Sequence, residues 1–152
     1  FVACGPIEYF PDEKLIDQAQ EIAAETGAIL EFWTEPETAL KDADVVYTDI
    51  WVSMGEPPEA WAERIDAMLP YQVNAKAMSY AKPTAVFMHC LPAFHDLKTT
   101  IGKEVGEQYG LDSLEVTNEV FEGPQSIVFD EAENRMHTIK AVMAATLAGL
   151  ET

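Results

Sequence analysis

Apolar positions along this sequence follow two periods, one typical of buried strands and one typical of helices. Almost continuous apolar runs lie at residues 1–4, 28–33, 44–48 and 84–88. Runs of this length without polar alternation indicate strands of a parallel sheet, because both faces of such a strand are covered. A shorter run at residues 114–116 predicts a further strand.

Segments with helical spacing separate these runs. A proline and two acidic residues at 11–13 predict a helix start, and Gly27 stands where a C-terminal glycine cap belongs. Alternating strands and helices favour an α/β fold with a doubly wound (Rossmann-like), mainly parallel sheet that carries helices on both faces. The other predicted helical segments are residues 37–41, a helix entered through 57–58, and residues 74–80, 101–109 and about 130 onward, the last with an apolar stripe of Met136, Ile139, Met143 and Leu147.

The size and composition of the chain restrict the possible classes of protein. With 152 residues, of which 48% are apolar, residues 1–152 are long enough to form a single domain with its own core. Two cysteines, Cys4 and Cys90, are too few for a disulfide scaffold or a four-cysteine zinc site, so we expect a reducing compartment, the cytoplasm. No apolar run approaches the ~20 residues of a membrane span, so no membrane contact is expected.

The chain is strongly acidic, with 27 acidic and 9 basic residues and a formal net charge of −18. Such a charge argues against nucleic acid as a partner, since phosphate binding needs clusters of Lys and Arg. The imbalance is concentrated in residues 1–66, which hold 16 acidic and 3 basic side chains. A solvated surface or adaptation to salt explains such a charge, and so does a site that attracts a cationic ligand.

Two segments with polar chemistry follow predicted strands. Asp49 comes directly after the run at 44–48, and Cys90 follows the run at 84–88. Open α/β sheets bind ligands at the carboxyl ends of their strands, so neighbouring strands would bring both side chains to one crevice. A carboxylate there can hold an ammonium group, although a role in a cap or turn accounts for Asp49 equally well. Ser53 either caps the helix that follows or contributes its hydroxyl to a ligand.

Cys90 permits three interpretations. Its thiol is buried and inert, or it is a nucleophile with His95 as its base, or it positions an amine substrate without covalent chemistry. His89 is adjacent but points the other way at a strand end. Together with Asp96, these residues match no spacing that is typical of a zinc site.

Arginine is scarce in this chain, which has only Arg64 and Arg135. Arg135 lies near the start of the last predicted helix. It either forms a surface ion pair with Glu131 or Glu133, or directs its guanidinium at a carbonyl or anionic oxygen, which suits its planar fork. The scarcity favours the second interpretation.

Three segments together resemble ornithine carbamoyltransferases. They are residues 48–56 with the sequence TDIWVSMGE, residues 89–96 with HCLPAFHD, and residues 119–143, which begin with EVFE and contain ENRMHTIKAVM. In that family they belong to the C-terminal, ornithine-binding domain, and the resemblance covers essentially the whole chain. The Ser-Met-Gly segment favours ornithine as the substrate, and Cys90 argues against the aspartate-specific branch, which typically has proline there.

The resemblance implies a role for each candidate residue. Asp49 would hold the amino groups of L-ornithine, and Ser53 and Met54 would complete its pocket. Cys90 and Leu91 would contact the attacking amine and the carbamoyl group of carbamoyl phosphate.

The implied reaction needs one further residue, Arg135, which would bind the carbonyl oxygen of carbamoyl phosphate. The catalytic set would then be Asp49, Cys90 and Arg135. Attack by the neutral δ-amine of ornithine would release phosphate and give L-citrulline, a reaction of arginine metabolism and amino-acid biosynthesis. Neither a metal nor an organic cofactor is implied.

The resemblance also implies parts that this chain lacks. One is the family's N-terminal carbamoyl-phosphate domain with its Ser-Thr-Arg-Thr-Arg motif, and the other is the first strand–helix unit of the ornithine domain. We therefore expect the isolated chain to be inactive, and the parent enzyme to be a homotrimer or a multiple of trimers.

Three alternatives remain open at this point. The parent could be a carbamoyltransferase for another amine, such as putrescine or acetylornithine. The chain could be a non-catalytic α/β module that binds a cationic amino acid. A flavodoxin-like or receiver-like signalling domain fits the alternation of elements but leaves the Ser-Met-Gly and His-Cys-Leu-Pro segments without a role.

Overall fold

A computed structural model of the protein describes residues 1–53, 55–57 and 59–147. Strands and helices alternate in it, as the apolar runs predict, and single 3₁₀ turns lie at Ile7–Tyr9 and Leu69–Tyr71. The strands and α-helices are β1 (Val2–Cys4), α1 (Glu13–Thr26), β2 (Glu31–Trp33), α2 (Pro36–Ala39), β3 (Val45–Thr48), α3 (Ala60–Met68), α4 (Ala75–Tyr80), β4 (Val86–His89), α5 (Thr100–Tyr109), α6 (Asn118–Phe121) and α7 (Val128–Leu147).

The strands pair in parallel. In the first pair, β1 lies beside β2 with Val2 opposite Glu31; in the second, β3 lies beside β4 with Thr48 opposite His89. The α/β class and the parallel pairing are therefore confirmed. Among the described residues, however, the strands form two ladders of two strands instead of one hydrogen-bonded sheet.

A groove of about 370 Å³ separates the two ladders, with Cys4 of β1 on one side and Val46 and Tyr47 of β3 on the other. Neighbouring hydrogen-bonded strands lie about 4.8 Å apart. The groove shows that β1 and β3 are not such neighbours. Tyr71 of the second 3₁₀ turn reaches the residue after β2, because its hydroxyl donates a 2.9 Å hydrogen bond to the carbonyl oxygen of Thr34.

Two apolar clusters form the core. The larger one surrounds β4, where Phe87 is fully buried and Val128 of α7 is 1% exposed. Full burial of side chains of this kind contributes ~2–3 kcal/mol each, so this cluster fixes α7 and α4 against the β3–β4 ladder. The smaller cluster lies under the segment that follows β3; its buried members are Trp51, Ile65, Phe94, Val105 and Leu114.

Helix ends agree closely with their sequence signals. The Asp12 side chain accepts a 2.9 Å hydrogen bond from the Lys14 amide at the start of α1, and Gly27 ends that helix with a φ of 75°. Thr99 caps α5 in the same way, and Gly110 ends it with a φ of 70°. A φ in this range favours glycine, so the predicted helix ends are confirmed.

Two element predictions need correction. The strand predicted at 114–116 is wrong: Val116 forms a single parallel bridge with Val73, because only residues 72–74 separate the 3₁₀ turn from α4 and offer no longer partner. The helix predicted to enter through residues 57–58 begins at Ala60, after a turn in which the Ala60 amide donates to the Pro57 carbonyl oxygen.

The apolar stripes of the two longest helices are only partly covered by the described chain. On α1, Leu15 and Ile22 are 57% and 61% exposed, and along α7 the stripe from Met136 to Leu147 is 48% to 77% exposed. Among the described helices, none combines the length and the apolar character that crossing a membrane requires.

Candidate active site

The carboxyl ends of β3 and β4 bring together the two residues that the sequence places after these strands. Because Thr48 and His89 are opposite each other in the ladder, the next residues, Asp49 and Cys90, leave the same edge. The Cys90 Sγ donates a hydrogen bond of 2.9 Å to Asp49 Oδ1. The predicted meeting of these side chains at the carboxyl ends of neighbouring strands is confirmed.

Asp49 also has the turn role that the sequence left open. Its Oδ1 accepts a 2.7 Å hydrogen bond from the backbone amide of Ile50, the first residue of the following loop. The two hydrogen bonds fix the direction of the carboxylate, and Asp49 is itself exposed. An exposed carboxylate with a fixed direction can receive a cationic group from solvent.

The Cys90 thiol is a neutral hydrogen-bond donor here. The side chain is exposed overall, so the interpretation as a buried, inert thiol is wrong. Partial burial of the thiol is the largest cause that raises its pKa, and the hydrogen bond to Asp49 and the charge of that carboxylate raise the pKa further. Since the thiolate is the nucleophilic form of cysteine, these surroundings disfavour covalent catalysis by Cys90.

The two histidines near Cys90 have other partners. His95 stacks on Phe121 with 3.7 Å between ring centroids, and its Nδ1 lies 2.9 Å from Asn118 Oδ1. The interpretation of His95 as the base for Cys90 is therefore wrong. His89 points away from Cys90, as the strand geometry predicts, and is fully buried.

His89 and Glu115 form a buried polar pair beneath the loop that carries Cys90. The His89 Nε2 lies 3.2 Å from Glu115 Oε1, and both side chains are 0% exposed. The backbone amide of Leu91 donates to His89 Nδ1 at 3.0 Å, which requires a neutral ring with its hydrogen on Nε2, facing the carboxylate. The Glu115 Oε1 also accepts a 2.6 Å hydrogen bond from the Phe94 amide, so the pair supports the loop from both ends.

Tyr47 and Glu131 extend the site toward α7. Partial burial is the largest cause that raises the pKa of Tyr47 to about 12, and the contacts of its phenol with Cys90 and Glu131 raise that pKa further. Glu131, in the first turn of α7, accepts a 3.0 Å hydrogen bond from the His89 amide through its Oε2. This bond connects the helix that carries Arg135 to β4, the strand that Cys90 directly follows.

The loop after Asp49 forms the opposite side of the site. Ser53 is exposed, and its backbone amide donates a 2.6 Å hydrogen bond to Glu56 Oε2. A role for Ser53 as the cap of α3 is wrong, because that helix begins only at Ala60. Met54, predicted beside Ser53, lies outside the described residues.

A mainly apolar cavity of about 410 Å³ lies between this loop and the segment after Cys90. Ser53 and Ile50 line it from one side, and Pro92 and Phe94 line it from the other. A chain of methylene groups fits such a lining, because burial of apolar surface is its main interaction.

Arg135 lies on α7, the helix that Glu131 connects to β4. Its side chain is exposed on α7, one turn after Glu131, and within the described ranges its guanidinium forms no hydrogen bond or ion pair with the protein. The predicted surface pairs with Glu131 or Glu133 are thus not formed there. The guanidinium is open to an external oxygen.

Sequence reasoning missed three residues around this site, namely Tyr47, Glu115 and Glu131. Glu115 had a recognisable signal, since it is a single charged residue inside the apolar run at 114–116. Tyr47 and Glu131 had none, because their roles depend on packing between a strand and a distant helix. Across the described residues, no group of three or more His, Cys, Asp or Glu side chains is arranged to hold a metal ion.

Comparison with known proteins identifies the family to which this chain belongs. The sequence model of the aspartate/ornithine carbamoyltransferase Asp/Orn binding domain matches residues 1–146. The chain belongs to this family. The resemblance drawn from the three sequence segments is thereby confirmed, and the signalling-domain alternative is excluded.

Relatives of this carbamoyltransferase domain match it over almost its full length. A catabolic ornithine carbamoyltransferase of Treponema denticola is 57% identical over 147 residues, which are 97% of this chain and 44% of the relative. An ornithine carbamoyltransferase of Borreliella burgdorferi is 55% identical over 143 residues, 94% of this chain and 43% of the relative. The chain therefore spans less than half the length of these curated relatives.

Solved structures support the fold of this carbamoyltransferase domain. The ornithine carbamoyltransferase from Pyrococcus furiosus matches with a TM-score of 0.79 and 43% identity, over 99% of this chain and 42% of that one. An acetylornithine transcarbamylase bound to acetylcitrulline matches with a TM-score of 0.67 and 28% identity, over 95% of this chain and 39% of that one. These similarities confirm the doubly wound α/β prediction.

Proposed function

We propose that residues 1–152 are the ornithine-binding domain of an ornithine carbamoyltransferase. The enzyme transfers the carbamoyl group of carbamoyl phosphate to the δ-amine of L-ornithine and releases L-citrulline and phosphate. The observation that carries the proposal is the 2.9 Å contact between the Cys90 thiol and the Asp49 carboxylate at the carboxyl ends of β3 and β4. The ornithine carbamoyltransferases among its relatives support the same substrate.

Asp49 and Cys90 act on the amine. The Asp49 carboxylate attracts the cationic amino groups of ornithine and orients the δ-amine, which must lose a proton before it attacks. The neutral Cys90 thiol lies beside the same nitrogen and contributes a polar contact without forming a covalent bond. Ser53 and Met54 complete the pocket, and the apolar cavity beside Ser53 receives the methylene groups.

The carbonyl side of the reaction uses Arg135 and the backbone of Cys90 and Leu91. When the amine attacks the carbonyl carbon, a C–N bond forms and negative charge develops on the carbonyl oxygen, which the Arg135 guanidinium stabilises. Collapse of this intermediate breaks the C–O bond to phosphate, the nitrogen gives up its proton, and the phosphate leaves. Holding the amine against the carbonyl lowers the barrier by several kcal/mol.

Carbamoyl phosphate is an anion, and this domain has a net charge of −18 with two arginines. Electrostatics therefore oppose its capture by the domain alone. We propose that a separate carbamoyl-phosphate domain completes the active site, in an enzyme that assembles as a homotrimer or a multiple of trimers in the cytoplasm. No nucleic acid or membrane takes part.

A chimera tests the proposal. Residues 1–147 replace the matching segment of the T. denticola enzyme, and the purified chimera receives carbamoyl phosphate with ornithine, putrescine or N-acetylornithine. We expect citrulline to be the major product, at a rate comparable to that of the unmodified T. denticola enzyme. A preference for either other amine would overturn the assignment of ornithine.

The alternative of a non-catalytic module makes a different prediction for the same chimera. An assembled chimera that binds ornithine calorimetrically but forms no carbamoylated product with any of the three amines would support that alternative. Assembly is checked by comparing the sedimentation of the chimera with that of the T. denticola enzyme.

A further inference from the structure

The second arginine of the chain, Arg64, is connected to the loop that carries Ser53. From α3, its Nη1 donates a 2.7 Å hydrogen bond to the carbonyl oxygen of Trp51, and its Nη2 forms a 3.0 Å ion pair with Glu56 Oε1. The other oxygen of that carboxylate, Glu56 Oε2, accepts the backbone amide of Ser53 at 2.6 Å. One guanidinium thus contacts Trp51 and Glu56 directly, and it reaches the Ser53 amide through the Glu56 carboxylate.

The surroundings of Arg64 make these contacts stronger than those of an ordinary surface pair. The side chains of Arg64 and Glu56 are 24% and 33% exposed, so water screens their attraction only in part. The guanidinium carbon also lies 4.8 Å from the centre of the Tyr9 ring, a cation–π contact from a third segment of the chain. The planar fork of arginine can serve a carbonyl, a carboxylate and a ring face together, whereas a lysine ammonium cannot.

We propose that Arg64 is a positioning residue that holds the Ser53 loop in the conformation that binds the amino-acid end of ornithine. The ligand in this inference, ornithine, rests on the proposed function. The contacts of Arg64 with Trp51 and Glu56, which we call the clamp, are observed within the chain. The loop faces the site across the apolar cavity, and Ser53 is exposed to a ligand. Without the clamp, ornithine binding must supply the ordering of the loop, which weakens its apparent affinity.

Hydrogen exchange of the Ser53 amide tests the clamp independently of ornithine. In the 152-residue chain, we expect Arg64→Gln to accelerate exchange of this amide about tenfold, because the carboxylate that accepts it loses its own partner. Glu56→Gln should accelerate it as well, and Arg64→Lys should do so to a lesser degree. A matched control is Lys82→Gln, which breaks the 2.7 Å ion pair with Asp44 at the opposite end of β3.

Steady-state kinetics in the chimera test the consequence for the ligand. We expect Arg64→Gln to raise the KM for ornithine about tenfold, with kcat and the KM for carbamoyl phosphate within about twofold of the unsubstituted chimera. The KM for ornithine of Arg64→Lys should lie between those of Arg64→Gln and the unsubstituted chimera. All three constants of Lys82→Gln should match those of the unsubstituted chimera.

The outcomes separate this inference from the proposed function. If Arg64→Gln, Glu56→Gln and Lys82→Gln leave Ser53 exchange equally unchanged, the clamp is refuted whatever the enzyme does. If Arg64→Gln raises the KM for ornithine and the KM for carbamoyl phosphate equally, its role is general and structural, and positioning is refuted. Faster amide exchange throughout the chain would refute positioning in the same way. If the unsubstituted chimera makes no citrulline but Arg64→Gln selectively accelerates Ser53 exchange, the proposed function fails and the clamp stands.

Discussion

Replacement of Glu115 by alanine should measurably destabilise the domain. The carboxylate is fully buried, accepts the Phe94 amide at 2.6 Å, and lies 3.2 Å from His89 Nε2. Glu115→Ala leaves the buried Phe94 amide without its acceptor, which costs ~1–3 kcal/mol. The expected loss is therefore about 1–3 kcal/mol, a substantial part of the ~5–15 kcal/mol that stabilises a typical domain.

Urea unfolding followed by tryptophan fluorescence measures this loss. Glu119→Ala is the matched control, because Glu119 is exposed on the neighbouring helix α6 and should change the unfolding free energy by less than about 0.5 kcal/mol. Glu115→Gln keeps an oxygen for the Phe94 amide and should cost less than alanine. A Glu115→Ala chain within about 0.5 kcal/mol of the unsubstituted one would refute the stabilising role of the buried pair.

Three further predictions follow from the site. Asp49→Asn should lower the pKa of Cys90 and speed its alkylation by iodoacetamide at pH 8, while Cys4 reacts unchanged; an unaltered Cys90 rate would contradict the coupling. Because the folded chain raises the pKa of Tyr47 to about 12, the phenol contributes stability below its ordinary pKa of about 10 that is lost as the pH rises to about 12. Urea unfolding at pH 9 and 11.5 should show this loss for the unsubstituted chain and less of it for Tyr47→Phe; equal losses would refute it. The purified 152-residue chain, given ornithine and carbamoyl phosphate, should form no citrulline, and measurable citrulline would overturn the need for a second domain.

Local signals in the sequence predicted the elements well where a single residue decides the conformation. Asp12 marks the start of α1 because an N-terminal cap needs a side-chain acceptor, and Gly27 marks its end because the C-terminal cap needs a residue with positive φ. The run at 114–116 misled because its apolar residues are buried by a single bridge and by side-chain packing, not by a ladder. A pattern of apolar residues predicts that a segment is buried, but it does not predict how many of its residues pair with a neighbouring strand.

The site was predictable only as far as strand order determines it. Asp49 and Cys90 each follow a predicted strand, and parallel pairing of β3 with β4 is sufficient to bring them together. The support of the Cys90 loop by Glu115, and the connection of α7 to β4 by Glu131, depend on residues 20 to 45 positions away. No local pattern encodes such contacts, so they became visible only in three dimensions.

The central claim is that the carboxylate after β3 binds the amine that is carbamoylated. The most direct test compares citrulline formation by the chimera with Asp49→Asn and with Asp44→Asn, two substitutions of the same type at opposite ends of one strand. Asp44 is exposed and pairs with Lys82, away from Cys90. We predict that Asp49→Asn lowers kcat/KM for ornithine at least about a hundredfold, and that Asp44→Asn leaves it unchanged. Equal rates for the two variants would contradict the account.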